Sequence, residues 1–241
     1  NGLAVTHAGP LTYGFPARIS ATIGPGTAGA INIEREADLS GAIHTKGFYI
    51  LGGLLRHLLR TEHPLAFDAS IAFEQSYGGI DGDSASGAEM CCLLSALTDV
   101  PLRQDLAMTG AIDQLGHILP VGAVNEKIEG FHDTCADMRR LSGGGSSAGG
   151  LSGMQGVVIP PANGGDLQLR EDVVAACQAG RFHIFAVESI HEALELFTGI
   201  PAGRRDKATN MYPQGSLPAT AVAQARPTGR RPCRPPKRTV R

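Results

Sequence analysis

Short apolar segments with two different periods occur along this chain, and they constrain its fold more than any other feature. Residues 17–23 and 67–73 carry apolar side chains at every second position, as a half-buried strand does. Residues 51–59 instead carry leucines three and four positions apart, which is the spacing of one helix face. Strand and helix patterns are mixed without strict βαβ alternation. The sequence therefore predicts an α+β fold and not a doubly wound sheet.

Further elements follow from the same patterns and from turn and capping signals. Ser86 with Glu89 and Ser189 with Glu192 have the form of a capping box, so each predicts the start of a helix. Residues 105–112 and 116–121 indicate a hairpin, and a helix that carries Lys127 on its first turns begins near residue 124. Three more strands are expected at residues 30–35, 157–159 and 182–187, and another helix at residues 171–179.

Two segments do not have the composition of a packed core. Residues 142–156 are rich in Gly and Ser, which predicts a flexible loop insertion. Residues 203–241 are rich in Pro, Arg and Ala, so we expect a disordered tail after one domain over residues 1–202. Residues 204–241 hold 10 of the 21 basic residues and one acid. Such a tail can attract phosphates, but it offers only Tyr212 for stacking, so we do not expect it to bind nucleic acid.

Cysteine usage and hydropathy bear on the compartment. The five cysteines have no spacing typical of a zinc site or a disulfide framework, so free thiols in a reducing, cytoplasmic setting are expected. No apolar run is long enough for a membrane span, and no signal peptide is visible. We expect no bound metal and no nucleotide site, because neither His-Glu-x-x-His, Cys-x-x-Cys nor a phosphate loop is present.

Lysine is scarce before the tail. Residues 1–203 contain nine arginines but only two lysines, Lys46 and Lys127. A lysine usually lies on the surface as a solvated charge. Unlike arginine, however, it loses its proton readily when it is buried, and it can then accept a proton from another group. Each of the two lysines is therefore a candidate for chemistry.

Ser84 allows two interpretations. Small neighbours (Gly82, Ala85 and Gly87) let another chain approach closely, and the N-terminus of the next helix offers N–H groups to an oxyanion. The local pattern by itself favours a simpler role as a helix N-cap. Because Ser86 and Glu89 already supply a cap signature, Ser84 is left available for catalysis.

Three blocks of sequence occur in a fixed order. They are Asp81-Gly82-Asp83-Ser84-Ala85-Ser86, then Met108-Thr109-Gly110, then Leu119-Pro120-Val121-Gly122-Ala123-Val124-Asn125-Glu126-Lys127. Together they resemble the proteolytic domain of Lon proteases, and the Asp-Ser-Ala-Ser form resembles the archaeal-type B enzymes and their bacterial Lon-like relatives. The resemblance runs from about residue 2 to about residue 200. It implies the Lon proteolytic-domain fold, with mixed short sheets packed by helices.

The resemblance also implies an activity, hydrolysis of peptide bonds in unfolded or damaged proteins, and a role for four residues. Ser84 would be the nucleophile and Lys127 the general base of a Ser-Lys dyad. Thr109 would hold the lysine amine by its hydroxyl, and Asp81 would orient the loop before Ser84. Backbone N–H groups around Ser84 are the expected oxyanion hole.

The family also implies partners. A hexameric ring of copies is expected, together with an AAA+ ATPase module. That module, which would bind ATP and Mg²⁺, would lie upstream, lie on another chain, or be absent. No cofactor is expected in the chain itself.

A second function remains open, in which the same fold serves as a non-catalytic Lon-like scaffold or oligomerisation module. The filled Ser84, Lys127, Thr109 and Asp81 positions favour the enzyme. Asp83 and Ala123 depart from the family pattern, which usually has a second Gly at the latter position. His44 and Lys46 have no assigned chemistry, and we favour a structural role for both.

Overall fold

The computed structural model describes residues 1–26, 29–60, 65, 67–141, 150–206 and 208–225. Its strands are β1 (Gly2–Ala8), β2 (Leu11–Ala17), β3 (Ile19–Pro25), β4 (Gly29–Asn32), β5 (Phe67–Phe73), β6 (Leu106–Met108), β7 (Ala111–Ile112), β8 (Ile118–Leu119), β9 (Gly156–Ile159) and β10 (His183–Ala186). Its α-helices are α1 (Ile33–Glu36), α2 (Ala42–Leu59), α3 (Ser86–Thr98), α4 (Val124–Leu141), α5 (Glu171–Gln178), α6 (Ile190–Thr198) and α7 (Leu217–Gln224). A 3-10 helix spans Pro161–Asp166.

Three sheets of mixed direction make up the strand framework. The largest has the order β10-β9-β6-β1-β2, in which β1 and β2 are antiparallel and the other neighbours are parallel. A second sheet has the order β3-β5-β4, with β5 antiparallel to β3 and parallel to β4. Strands β7 and β8 form an antiparallel pair. The predicted α+β class, with mixed short sheets packed by helices, is confirmed.

The five-stranded sheet separates two apolar clusters, because successive side chains of a strand point to opposite faces. In β6, Leu106 and Met108 belong to one cluster and Ala107 to the other. The first cluster also holds the buried faces of α2, α3, α6 and α7, whereas α4 and α5 contribute to the second. Helices α3 and α4 therefore lie on opposite sides of this sheet.

Most of the predicted elements are present. The strand at residues 67–73 is β5, the helix pattern at residues 51–59 lies within α2, and α4 begins at Val124 as expected. Ser189 caps α6, where its side chain accepts from the Glu192 amide. The strand expected at residues 30–35 is shorter, because β4 ends at Asn32 and α1 follows. The expected hairpin is formed by β7 and β8, whereas β6 belongs to the large sheet.

The antiparallel pair of β1 and β2 was not predicted, although its seven-residue register is regular. Strand β2 lies at the edge of the sheet, and its Leu11, Tyr13 and Phe15 are 40% or more exposed. These apolar residues recur at every second position, but Gly14 and Pro16 alternate with them, and both residue types argue against a strand interior.

The prediction that residues 203–241 are disordered is wrong for the described part of that segment. Helix α7 begins after Ser216, whose side chain accepts from the Ala219 amide, and it buries Leu217 and Ala221 against the core. Upstream, the Arg205 guanidinium donates to the Leu58 carbonyl and lies 4.6 Å from the ring centroid of Tyr212. The Pro- and Ala-rich composition hid a short apolar helix face. Residues 226–241 lie outside the described residues.

The Gly/Ser-rich insertion falls largely on residues 142–149, which also lie outside the described residues. From residue 150 onward the chain is described, and Leu151 is buried before β9 begins at Gly156. Among the described helices, none combines the length and the apolar character that crossing a membrane requires.

Candidate active site

Ser84 and Lys127, which are 43 residues apart in sequence, meet at the side chains. Nζ of Lys127 lies 3.0 Å from Oγ of Ser84 and 3.1 Å from Oγ1 of Thr109. Lys127 is 4% exposed and Thr109 is fully buried. The structure therefore brings three of the four predicted site residues into direct contact, and the surface position that is usual for a lysine does not apply to Lys127.

The amine of Lys127 is held in an environment that disfavours its charged form. Burial lowers its pKa from 10.5 to about 8, while the carboxylates of Asp83 and Glu126 act in the opposite direction. On the same helix, Val124 and Ile128 are buried, whereas Leu119, which we expected in the apolar surroundings, is 39% exposed. A lysine with a pKa near 8 has an appreciable neutral fraction at neutral pH, so it can act as a base.

The first turn of α4 is fixed from two sides. Before the helix, Asn163 is buried and makes two hydrogen bonds to the backbone of Val121, at 2.9 and 3.0 Å. On the helix itself, strand β2 approaches so closely that a Cβ at Gly14 would lie 2.1 Å from the Glu126 carbonyl oxygen. At Gly130, a Cβ would lie 1.9 Å from the Gly14 carbonyl oxygen. These contacts hold Lys127 in place through its backbone.

Ala123 precedes α4 with φ = 54°, in the left-handed region. Its carbonyl accepts the amide of Lys127 at 3.1 Å, so this strained residue forms the start of the turn that carries the amine. The usual glycine at this position has a physical reason, since glycine adopts such a conformation without steric cost. Ala123 is tolerated here with the turn intact.

The backbone of Ser84 is tied to the segment that contains Thr109. The Ser84 carbonyl accepts the Gly110 amide at 2.7 Å, and the Gly110 carbonyl accepts the Gly87 amide at 3.0 Å. The Thr109 amide in turn donates to Val158 of β9 at 3.0 Å. Ser84 and Thr109 are therefore coupled to each other and to β9, an inner strand of the large sheet.

Asp81 lies outside the contacts among Ser84, Thr109 and Lys127, at the start of the segment 81–84. Because Ser84 is the predicted nucleophile, we call this segment the nucleophile loop. Its Oδ1 accepts the amides of Gly82, Ile43 and His44 at 2.9, 3.1 and 3.3 Å. These hydrogen bonds, that of Gly82 first, lower the pKa of the Asp81 carboxyl. Asp81 therefore joins the nucleophile loop to the N-terminus of α2, where a carboxylate is favoured by the helix dipole.

The capping box predicted at Ser86 and Glu89 is wrong. Helix α3 has Ala85 at its N-cap and no side-chain cap. The Ser86 hydroxyl donates to the Asp83 carbonyl at 2.8 Å and accepts the Ile112 amide at 3.1 Å, so it fastens the loop to β7. Glu89 points into the interior and is 1% exposed. Ser84 is not the cap either, which removes the alternative role that its local sequence suggested.

The two residues without assigned chemistry, His44 and Lys46, differ in exposure. Lys46 is exposed on α2, whereas His44 is 1% exposed and lies edge-on to Phe73, with ring centroids 5.6 Å apart. Gly41, before α2, leaves room for the Asp81 carboxylate at the start of that helix, because a Cβ at position 41 would lie 2.4 Å from it.

One group within the described residues has the composition of a metal site. His132, Asp133 and Asp172 bring potential ligand atoms within 4.8 Å of one another. The guanidinium of Arg170 already binds both carboxylates, at 2.6 and 2.9 Å to Asp133 and at 3.0 and 3.1 Å to Asp172. Ion pairing with Arg170 accounts for this group without a metal.

Sequence reasoning missed the residues that support the site. Gly130 could have been recognised from the sequence, since a glycine inside a helical pattern often indicates a close backbone approach. Gly41 and Asn163 could not, because the role of each depends on a partner about 40 residues away. The burial of Glu89 was hidden by its match to a capping motif.

Known proteins with similar sequences come from one family. Residues 70–137 match the model of the Lon protease (S16) C-terminal proteolytic domain. A Lon protease homologue of Escherichia coli is 44% identical over 191 residues, which cover 79% of this chain and 31% of the homologue. One from Haemophilus influenzae is 46% identical over 201 residues, which cover 83% and 32%.

An archaeal Lon protease of Thermococcus kodakarensis is 34% identical over 130 residues, which cover 54% of this chain and 17% of the relative. The chain thus spans about a third or less of the length of these relatives. The matched segment 70–137 contains Ser84, Thr109 and Lys127. The chain therefore carries a proteolytic domain of the Lon protease family, as its sequence motifs predict.

Proposed function

We propose that this chain is the serine endopeptidase domain of a Lon-type protease, in which Ser84 is the nucleophile and Lys127 the general base. The observation that carries the proposal is the 3.0 Å contact between Nζ of Lys127 and Oγ of Ser84, with the amine buried. This distance is within the range for direct proton transfer. The substrates would be peptide bonds of unfolded or damaged proteins.

The reaction follows from the contacts of the two side chains. Neutral Lys127 accepts the Ser84 proton while Oγ attacks the peptide carbonyl, which forms a tetrahedral intermediate. The ammonium of Lys127 then gives its proton to the leaving amine as the C–N bond breaks, which leaves an acyl-enzyme. A water molecule loses a proton to the neutral lysine and attacks the ester, and Oγ regains a proton when the acid is released. Thr109 keeps Nζ in place through both steps.

The oxyanion hole is assigned by elimination among the amides beside Ser84. The Ser86 amide already donates to the Asp83 carbonyl, and the Gly87 amide to the Gly110 carbonyl, both at 3.0 Å. Among the described residues, the amides of Asp83, Ser84 and Ala85 donate no hydrogen bond, so these are the ones that remain at this turn for a developing negative charge. Asp81 would contribute by holding the nucleophile loop against α2.

The wider setting is also a proposal. By similarity to Lon proteases, the domain would work in a hexameric ring, coupled to an AAA+ ATPase module in the same or another chain. ATP and Mg²⁺ would be bound by that module. The alternative function, a non-catalytic scaffold of the same fold, is disfavoured by the fully assembled contact among Ser84, Thr109 and Lys127.

Cleavage of an unfolded model protein by purified variants tests the proposal. Ser84→Ala and Lys127→Ala should each abolish cleavage while the circular dichroism spectrum is unchanged. Lys46→Ala is the matched control, because it removes the exposed lysine of α2 and should leave the rate as in the parent protein. Full cleavage by either dyad variant would contradict the assignment, and a parent protein without any cleavage would favour the scaffold.

A further inference from the structure

Three ionisable side chains that the dyad does not use meet behind the nucleophile loop. Glu34 comes from α1, His44 from α2 and Glu89 from α3, and they are 3%, 1% and 1% exposed. Burial of two carboxyl groups and an imidazole in one interior cluster is costly unless they are neutral or paired. The Glu34–His44–Glu89 cluster therefore calls for a functional explanation.

His44 holds the nucleophile loop at two successive residues. Its backbone amide donates to Oδ1 of Asp81 at 3.3 Å, and its imidazole donates to the backbone carbonyl of Gly82. The edge-on contact with Phe73 fixes the ring orientation. Gly82 has φ = 90°, which glycine adopts readily, and it lies two residues before Ser84, so the bond from His44 fixes a part of the loop with an open choice of conformation.

Glu89 lies on the opposite side of the imidazole. Its Oε1 is 3.8 Å from Nε2 of His44, and it has no hydrogen-bond partner among the described residues. Oε1 of Glu34 accepts the Phe73 amide at 2.6 Å, and its Oε2 also has no partner within the described part of the chain. A carboxylate at Glu89 would face a second carboxyl group without compensation, whereas a protonated carboxyl can be accommodated.

We propose that His44 is a positioning residue for Ser84 and that the protonated carboxyl of Glu89 keeps the His44 imidazole neutral and bonded to Gly82. This role rests on the proposed peptidase function. Ionisation of Glu89 would place a negative charge beside His44, attract a proton onto the imidazole and repel Glu34. The support of the nucleophile loop would then change, and the reactivity of Ser84 with it.

A pH dependence follows from the groups that face Glu89. These are Glu34 from α1, His44 from α2, Asp81 near His44 in the loop, and Cys92 one turn along α3. Burial and the neighbouring Glu34 raise the pKa of Glu89 from 4.5 to about 8. Because the pKa is raised on folding, the contribution of this group to stability is complete below pH 4.5 and is lost as the pH rises through about 8.

The pH profile of kcat/KM for Glu89→Gln tests the role, since glutamine keeps the shape but cannot ionise. We expect the parent protein to lose activity above pH 8, and the variant to keep its pH 7 rate but lack this alkaline decline. At pH 9.5 the variant should exceed the parent on the order of 10-fold. Glu171→Gln is the matched control on an exposed carboxylate of α5, and it should follow the parent. An unchanged alkaline decline in Glu89→Gln would overturn the proposal.

A second measurement needs neither peptidase activity nor a folded Glu89 variant. In Lys127→Met, which removes the lysine titration, the Gly82 amide and the His44 ring should shift in NMR spectra with one common midpoint near pH 8. Glutamate carboxyl signals should include one with the same midpoint. Absence of such a midpoint at Gly82 would overturn the positioning role, whatever the catalytic assays show. The two outcomes separate a failure of this role from a failure of the proposed function.

Discussion

Two buried ionisable side chains, Lys127 and Glu89, lie near the nucleophile loop, and their surroundings differ. Lys127 on α4 has two hydroxyl oxygens within 3.1 Å of its amine, whereas Oε1 of Glu89 on α3 has no hydrogen-bond partner among the described residues. Burial moves both groups toward their neutral forms and brings both pKa values to about 8. The same loss of hydration therefore favours a neutral amine in contact with two hydroxyl groups at Lys127, and a neutral carboxyl group at Glu89.

The largest effect on kcat/KM is expected from a substitution beside Lys127. Thr109→Val keeps the shape of the buried side chain but removes the hydroxyl 3.1 Å from Nζ. Loss of one hydrogen bond to an amine that becomes charged should lower kcat/KM on the order of 10- to 100-fold. The peptidase assay measures this directly.

Thr134→Val is the control for that substitution, because among the described residues the Thr134 hydroxyl on α4 bonds only to the Gly130 carbonyl of its own helix. It should change the rate less than about twofold. Equal rates for Thr109→Val and the parent protein would show that the amine does not depend on this hydroxyl.

A smaller effect is expected on the α2 side. In Gly41→Ala the new Cβ would lie 2.4 Å from the Asp81 carboxylate, which would have to move away from the amides of α2. We expect kcat/KM to fall on the order of 10-fold through misplacement of the nucleophile loop. Gly164→Ala, with nothing within 4 Å of its Cβ, is the matched control. A crystal structure of Gly41→Ala with Asp81 unmoved would contradict the argument.

The charge beside Lys127 offers a subtler test. The Asp83 carboxylate raises the pKa of Lys127 and so opposes the effect of burial. Asp83→Asn should lower that pKa and shift the rising limb of the pH–rate profile to lower pH. At pH 7 the gain in kcat/KM should be on the order of twofold, because more of the amine is neutral. A shift of the rising limb to higher pH would contradict the sign.

The smallest effect concerns stability. Ala123→Gly replaces a non-glycine residue at φ = 54°, so it should raise the free energy of unfolding by about 0.5–1 kcal/mol. Ala175→Gly, inside helix α5, is the opposite control and should lower it by about 1 kcal/mol. Chemical denaturation with both variants measures the difference, and a destabilised Ala123→Gly would show that the turn is not strained.

The sequence predicts elements well where one period persists with clear ends. Strand β5 alternates over its full length and helix α6 has a serine cap, so both were located correctly. Edge strand β2 was missed because Gly14 and Pro16 interrupt its alternation, and helix α7 because its composition is rich in Pro and Ala.

The pairing of Ser84 with Lys127 could be predicted from ordered motifs, but the residues that support it could not. Lysine scarcity and the spacing of Ser84 and Lys127 indicate a reactive pair. By contrast, the Glu34–His44–Glu89 cluster joins three helices, and its members are far apart in sequence. Glu89 in particular matched a capping motif, and only tertiary packing shows that it is buried.

The most direct test of the central claim is the pKa of the Lys127 amine. NMR of the protein labelled with ¹⁵N at the lysine side chains, with Lys127 assigned by its loss in Lys127→Met, gives this value. We expect the amine to lose its proton near pH 8, with the same midpoint in the rising limb of kcat/KM for Glu89→Gln, which lacks the alkaline decline. A Lys127 amine that stays protonated above pH 10 would contradict the account, because it could not accept the Ser84 proton at neutral pH.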